Sequence, residues 1–304
     1  MSVSIVPTLD MERAIAASGY DVIVGFDEVG RGSLAGPVMV GAAAIRTCDL
    51  SGPSPLQVPD GVADSKMLTE HRREAIFEEL KSWCASWAVG SASNTEIDDW
   101  GISYALGIAA LRALGQAEEK LGIDGDGMLD GKPVKVGAIL DGPNDYITKA
   151  LNTFDAPDVP VPAEVSTKVK GDRYCATVAT AAVIAKVTRD HIMIDLAKRP
   201  QYAPYEWDHN KGYGSAPSRR HSRTRAKRPT SPILASRLNP GLSLILPNDT
   251  RGRPSMGFIP PPDGRAVTIL VAYEVWNTYF RRPIWSWITR PSKTIQSTRW
   301  RLTT

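Results

Sequence analysis

Residues 24–32 read VGFDEVGRG. The run leaves Asp21 and is apolar to Phe26, meets an acidic pair at Asp27 and Glu28, then breaks on Gly30 and Gly32 around Arg31. A short apolar run bounded by turn formers reads as a buried strand, here residues 21–26. Two carboxylates at its end repel each other and raise each other's pKa unless a cation offsets them. A nucleotide-binding reading fails on spacing. Gly30, Gly32 and Gly36 give G-x-G-x-x-x-G, and the chain runs on toward a strand, not a helix. Taken alone, the pair also fits a plain strand end with a polar turn.

Working outward, PVMVGAAAI (37–45) reads as a second strand, antiparallel to the first across the glycine turn. Residues 48–66 are rich in Pro, Gly and Ser and read as a loop. Thr69 is an N-cap for a helix over EHRREAIFEELKSW, with Ile76, Phe77 and Leu80 on its apolar face. Residues 84–93 read as a third strand. Asn94 and Ser103 are expected to cap two further helices, the second strongly amphipathic. Residues 134–142 and 163–172 read as strands, 177–199 as a long helix. The order suits an α/β fold, a mixed sheet with helices on its faces.

Further acids sit in settings like that of the first pair. AILDG puts Asp141 at the end of an apolar run, and VKGDRY puts Asp172 just before a helix. Each alone fits a strand-turn signal or a helix cap. If neighbouring strands bring their ends together, Asp27, Glu28, Asp141 and Asp172 meet at one edge. A magnesium ion, which prefers oxygen ligands, would offset their charge. Two such ions can activate a water and stabilise a leaving oxygen in phosphodiester cleavage. Successive side chains on a flat strand point to opposite faces. Asp27 and Glu28 therefore share one site only if the strand ends or twists between them.

GFDEVGRGSLAGPV, the DSK at 64–66, LDG at 140–142, KGD at 170–172, AKVTRD at 185–190 and KGYG at 211–214 resemble, in order, the motif series of ribonuclease HII. The resemblance spans about residues 20–214. It implies an RNase H-like fold and an endonuclease. Such an enzyme cuts the RNA strand of RNA–DNA hybrids and nicks 5′ of ribonucleotides embedded in duplex DNA, a step of ribonucleotide excision in DNA repair and replication. It implies that Asp27, Glu28, Asp141 and Asp172 are the catalytic and metal-binding acids for Mg²⁺ or Mn²⁺, two ions together. Gly30, Arg31 and Gly32 match the turn that reads the ribonucleotide, and Tyr213 the tyrosine at the RNA-to-DNA junction. The 2′-OH is what tells RNA from DNA, glycines let backbone come close, and Arg suits phosphate.

Lys66 and Lys186 are candidate phosphate contacts, or merely solvated lysines. Asp190 either supports the metal site from behind or pairs with a nearby Arg or Lys. His209 stands two residues before Lys211, where the family more often has His directly before Lys-Gly-Tyr. Ala182 replaces the family's usual serine. Trp83, Trp87 and Trp100 are read as core.

The bulk numbers describe a globular chain. The chain has 304 residues, 42% hydrophobic and 23% charged, which is globular. Cys48, Cys84 and Cys175 are far apart and lack metal-ligand spacing, which fits a reducing compartment. No signal peptide is read at the N-terminus, and the apolar stretch from Ala266 to Trp276 is too short for a bilayer, so a cytoplasmic protein with no membrane contact is expected. A monomer is expected, and a replication clamp is left open as a partner.

The net charge of +3 hides an asymmetry. Residues 1–214 hold 20 Lys+Arg against 30 Asp+Glu, whereas 215–304 hold 16 against 3. Residues 1–214 are therefore read as the catalytic domain and 215–304 as a basic, Pro- and Arg-rich tail. The tail is expected to be disordered, or out of frame from about Ala216, with a true basic arm on nucleic acid as the rival. Two further alternatives stand beside the main reading. One is another RNase H-like nuclease, such as a junction resolvase or a type III relative. The other is a non-catalytic nucleic-acid-binding remnant disabled by the altered C-terminus.

Overall fold

Val22–Val29 (β1) is buried at every position but one, and a strand buried on both faces needs cover on both. Two long helices supply it in the computed structural model, which describes residues 6–215. The tail from Ala216 and the apolar stretch at 266–276 lie outside the described residues.

A short helix, Asp10–Ala17 (α1), precedes β1. There follow Val38–Arg46 (β2), Glu70–Trp83 (α2), Ser86–Ala92 (β3), Asn94–Trp100 (α3) and Ile102–Leu121 (α4). A small hairpin, Met128–Leu129 (β4) with Lys132–Pro133 (β5), leads to Val136–Asp141 (β6), Ile147–Leu151 (α5) and Glu164–Lys168 (β7). The described segment ends with Gly171–Tyr174 (α6), Ala176–Ala197 (α7) and Trp207–Asn210 (α8).

The main sheet has the order β3-β2-β1-β6-β7. β1 pairs antiparallel with β2, and β2 with β3, whereas β1–β6 and β6–β7 are parallel. The expected mixed sheet is therefore present. On one face, Val22, Val24 and Phe26 pack with Leu106, Leu111 and Leu114 of α4. On the other, Ile23, Ile45 and Ile139 pack with Ala176 and Val178 of α7, and α2 closes over α7 through Ile76 and Leu80. α7 comes very close to the sheet. A methyl group built on Gly25 would strike the backbone of Thr177 and Val178, and one on Gly41 would strike the Ala181 carbonyl. The helix meets glycines on the strands, Thr177 and Val178 against Gly25 and Ala181 and Ala185 against Gly41, so the axis of α7 drops onto β1 and β2.

Several local expectations hold and several shift. Thr69 caps α2, its hydroxyl accepting from Arg72 N. The cap of α3 is Ser93, not Asn94. Its Oγ accepts from Glu96 N while Glu96 accepts from Ser93 N, a reciprocal capping box. α4 begins at Ile102 behind Gly101 with no side-chain cap, so Ser103 lies inside its first turn. The strand expected over 163–172 stops at Lys168, because Lys170 turns left-handed (φ 60°) into α6. α1, α5 and α8 were not expected, being too short to show a helical period. Among the described residues, no helix is long and apolar enough to cross a membrane.

Candidate active site

The site grows out of strand register. β1 and β6 run parallel with Phe26 opposite Leu140 as their last pair. The next residues on each strand are Asp27 and Asp141, so two carboxylates leave the sheet side by side at its carboxyl end. That end of a parallel sheet is the usual place for ligand binding. Asp141 pairs onward with Lys168 of β7. Its Oδ1 also accepts from Gly171 N at 2.7 Å, which docks the first turn of α6 and brings Asp172 alongside.

The Asp27–Glu28 pair resolves differently from the expected strand end. β1 does not stop at Phe26 but continues to Val29, still paired with β2 through Val29–Met39. Its β6 edge is free beyond Phe26, so the two acids sit within a strand on one side and at a strand end on the other. Asp27 is buried and belongs to the α7 side, with Gly25. Glu28 belongs to the α4 side, with Phe26. There it accepts from the Tyr146 hydroxyl (3.1 Å) and from Arg31 Nη1 (3.1 Å). Both acids nonetheless border one cleft of about 280 Å³, with Gly30, Arg31 and Gly32 along its rim.

The electrostatics are those of crowded carboxylates. Burial raises the Asp27 pKa well above its ordinary value, and Asp141, Glu28 and Asp172 push it further, while Lys66 acts against them. Burial, then Asp141 and Asp64, push Asp172 up to about 6. Partial desolvation pulls the Lys66 ammonium down, but its attraction to Asp27, Asp172, Asp64 and Asp141 wins and the net shift is upward. Lys66 thus interacts favourably with Asp27, Asp172 and Asp141, and it lies on the cleft wall.

The remaining candidates fall into place unevenly. Lys186, Ala182 and Tyr213 line the same cleft, and the Lys186 Nζ lies 5.9 Å from the Tyr213 ring centre. Asp190 is buried and bonded to Lys186, with Arg73 at 3.9 Å, so it takes the pairing alternative. His209 lies elsewhere, exposed and beside Asp208 at 3.4 Å. Trp83 and Trp87 are partly buried and pack against the core, the Trp83 indole N–H donating to the Gln57 carbonyl, whereas Trp100 is 43% exposed and is not a core residue.

Three participants were given no role by the sequence reading, although two of them lie in its quoted motifs. Asp64 is buried, accepts from Arg173 Nε (3.1 Å) and stands against Asp172. Its own Oδ1 accepts from Lys66 N, which sets the turn that carries Lys66. Its signal was the acid two places before that lysine. Tyr146 holds Glu28, and only its neighbour Asp145 hinted at structure there. Arg189 is wholly buried beneath the Gly30–Pro37 turn. Its signal was a cation inside an otherwise apolar helix.

The chemistry of the four acids suits a hard divalent cation: all donors are oxygen, they are crowded, and two, Asp27 and Asp172, are buried. Among the described residues, no three of His, Cys, Asp or Glu are grouped to hold a metal ion.

A family described as Ribonuclease HII matches residues 24–235, past Gly214 where the motif series ends. A protein of Streptomyces griseus subsp. griseus named Ribonuclease HII is 41% identical over 212 residues, covering 69% of this chain and 75% of that one. One of Streptomyces avermitilis with the same name is 40% identical over 228 residues, covering 74% and 81%. Among solved structures, the ribonuclease H2 of Pyrococcus horikoshii aligns with a TM-score of 0.47 at 25% identity, over 68% of this chain and 88% of that one. On the family match and these relatives, the chain belongs to the ribonuclease HII family and is a ribonuclease H, an endoribonuclease.

Proposed function

We propose that this ribonuclease H cuts the RNA strand of RNA–DNA hybrids and also nicks on the 5′ side of single ribonucleotides embedded in duplex DNA. Asp27, Glu28, Asp141 and Asp172 would hold Mg²⁺ or Mn²⁺, two ions in all. When bound, the metal would lower the pKa of a water and offset charge on the leaving oxygen. The protein's own groups do the rest. The amides of Gly30 to Gly32 approach the sugar, and the 2′-OH is the group they can read there. Arg31, free to swing from Glu28 toward a phosphate, forks onto its oxygens. Lys66 and Lys186 add positive charge along the backbone path, and Tyr213 offers its ring at the junction.

The carrying observation is that four acids from separate elements are neighbours, and that two of them, Asp27 and Glu28, border the cleft walled by the Gly-Arg-Gly turn and Tyr213. The side-by-side ends of β1 and β6 bring Asp27 and Asp141. The Gly171 amide docks Asp172 against them. The Gly-Arg-Gly turn and Tyr213 form the wall.

The test is cleavage of a DNA duplex carrying one ribonucleotide, with Mg²⁺ or Mn²⁺, beside a continuous RNA–DNA hybrid. The intact chain should nick the first 5′ of the ribonucleotide, and Asp27→Asn should slow it by at least about 10²–10³-fold. Cleavage of the hybrid with no nick in the single-ribonucleotide duplex would overturn the embedded-ribonucleotide reading.

A further inference from the structure

Arg189 is the largest fully buried side chain among the described residues. Its Nε donates to the Pro37 carbonyl (2.9 Å) and its Nη1 to the Lys211 carbonyl (2.9 Å). Its Nη2 donates to Ser33 Oγ (2.9 Å) and to the Ala35 carbonyl (3.0 Å). All four acceptors are neutral. Taking a guanidinium out of water with no carboxylate bonded to it is expensive, and an apolar residue would fill the space at less cost.

What the arginine supplies is a rigid, planar fork with five donors. That fork joins two stretches distant in sequence. One is the turn after β1, residues 30–37. The other is the segment after α8, residues 211–213. The two are also tied directly, Leu34 N donating to the Gly212 carbonyl at 2.8 Å. Ser33, held by Arg189, donates from its hydroxyl to the Gly30 carbonyl at 2.7 Å. The guanidinium carbon lies 5.5 Å from the Tyr213 ring centre. Neither stretch has room to slide. Gly30 (φ 89°) and Gly212 (φ 84°) are left-handed, and a Cβ there would come within 2.8 Å of the Pro37 carbonyl and 2.5 Å of the Ala35 carbonyl.

We propose that Arg189 is a positioning residue that locks the Gly30–Arg31–Gly32 turn and Tyr213 into one reading unit, and so sets preference for a lone ribonucleotide over continuous hybrid. This rests on the reading given under Proposed function. A continuous hybrid offers a 2′-OH in every register, so a loose spacing between turn and tyrosine still finds one. A lone ribonucleotide offers one register, and the spacing must match it.

The experiment measures kcat and KM for both substrates, with thermal melting alongside, for the intact chain and for Arg189→Lys, Arg189→Gln and Ser33→Ala. The quantity read is kcat/KM on the single-ribonucleotide duplex divided by kcat/KM on the hybrid. It should fall roughly tenfold or more in both Arg189 variants and about threefold in Ser33→Ala, since small misplacements of bound groups cost such factors. Lysine keeps the charge but cannot span four acceptors, so it should resemble glutamine.

A merely structural role would lower both activities together and leave the ratio unchanged, which would overturn the proposal. Full rescue by lysine would overturn it too. If the Arg189 variants fail to fold, Ser33→Ala decides: a lowered ratio supports the proposal and an unchanged one sinks it. An intact chain that cuts hybrid but never nicks the lone ribonucleotide would sink the functional reading and this inference together. A nicking chain with unchanged ratios in its variants would sink only this inference.

Discussion

α4 and α7 are near equals in length, 20 and 22 residues, and cover opposite faces of one sheet. They do different work. α4 buries leucines, an isoleucine and alanines almost to its end. α7 buries alanines and valines through its first half, then Arg189 and Asp190. The difference lies in what each helix runs along. The first half of α7 lies on strands whose backbone groups are satisfied by the ladder. Its second half passes the last residue of β1 and meets the turn of residues 30–37. Carbonyls there have no strand partner, and buried ones must find donors. Arg189 supplies them. A helix that overruns its sheet can bury ions, whereas one that stays over it buries oil.

The hardest blow to this division would come from α4. Leu111→Ala removes a fully buried side chain from the apolar cluster between α4 and the sheet and should cost about 2–5 kcal/mol, read from urea unfolding. If α4 is scaffold alone, the folded fraction should keep its kcat within about twofold. A kcat that collapses in fully folded protein would mean that the two helices are not separable.

Glu118 is the exception that sharpens the contrast, a buried acid on the scaffold helix. Its Oε2 accepts from Val161 N at 3.1 Å, and its Oε1 finds no partner. Burial pushes its pKa up from 4.5 to about 8, the Val161 bond opposing only in part. Between those values the folded chain keeps a proton that the unfolded chain gives up. Stability from this group therefore falls as pH rises from about 4.5 to 8 and is level above. Glu118→Gln cannot titrate. Its stability relative to the parent should rise across that window, by on the order of 2 kcal/mol at neutral pH. Parallel melting curves from pH 5 to 8 would show that the carboxyl is not buried as protonated acid.

Much of this was legible along the chain. The runs at 21–26, 37–45 and 134–142 sit on β1, β2 and β6, and the run at 177–199 on α7, because each carries its own period or its own apolar block. Asp27, Glu28, Asp141 and Asp172 were legible as a set through their motifs. How adjacent acids share a cleft was not. It depends on β6 ending where β1 does not, a fact about partner lengths that no single run contains. Asp64 and Arg173 lie 109 positions apart, and Tyr146 and Glu28 lie 118 apart. Such contacts arise only once the sheet has folded: the DSK stretch contains Asp64 without saying which group it meets, and nothing local marks Tyr146.

Tyr146 makes the smallest and most pointed test. It is buried in the same apolar cluster as the leucines of α4, yet its hydroxyl donates to Glu28 at 3.1 Å. The scaffold face thus reaches the site through one oxygen. Burial, then the charge of Glu28, push the phenol well above its ordinary pKa, so it stays a donor throughout the working range. Tyr146→Phe keeps the ring and removes that donor, leaving Glu28 with Arg31 alone. Stability should change by no more than about 1.5 kcal/mol. The Mg²⁺ midpoint for activity should rise about tenfold, the usual effect of losing a group that orients a metal-binding carboxylate, with KM for nucleic acid little changed. An unmoved midpoint would mean that Glu28 is oriented from the Arg31 side only, and the boundary between scaffold and site would then fall cleanly at the sheet. A risen KM with the midpoint unmoved would place Tyr146 in substrate contact instead.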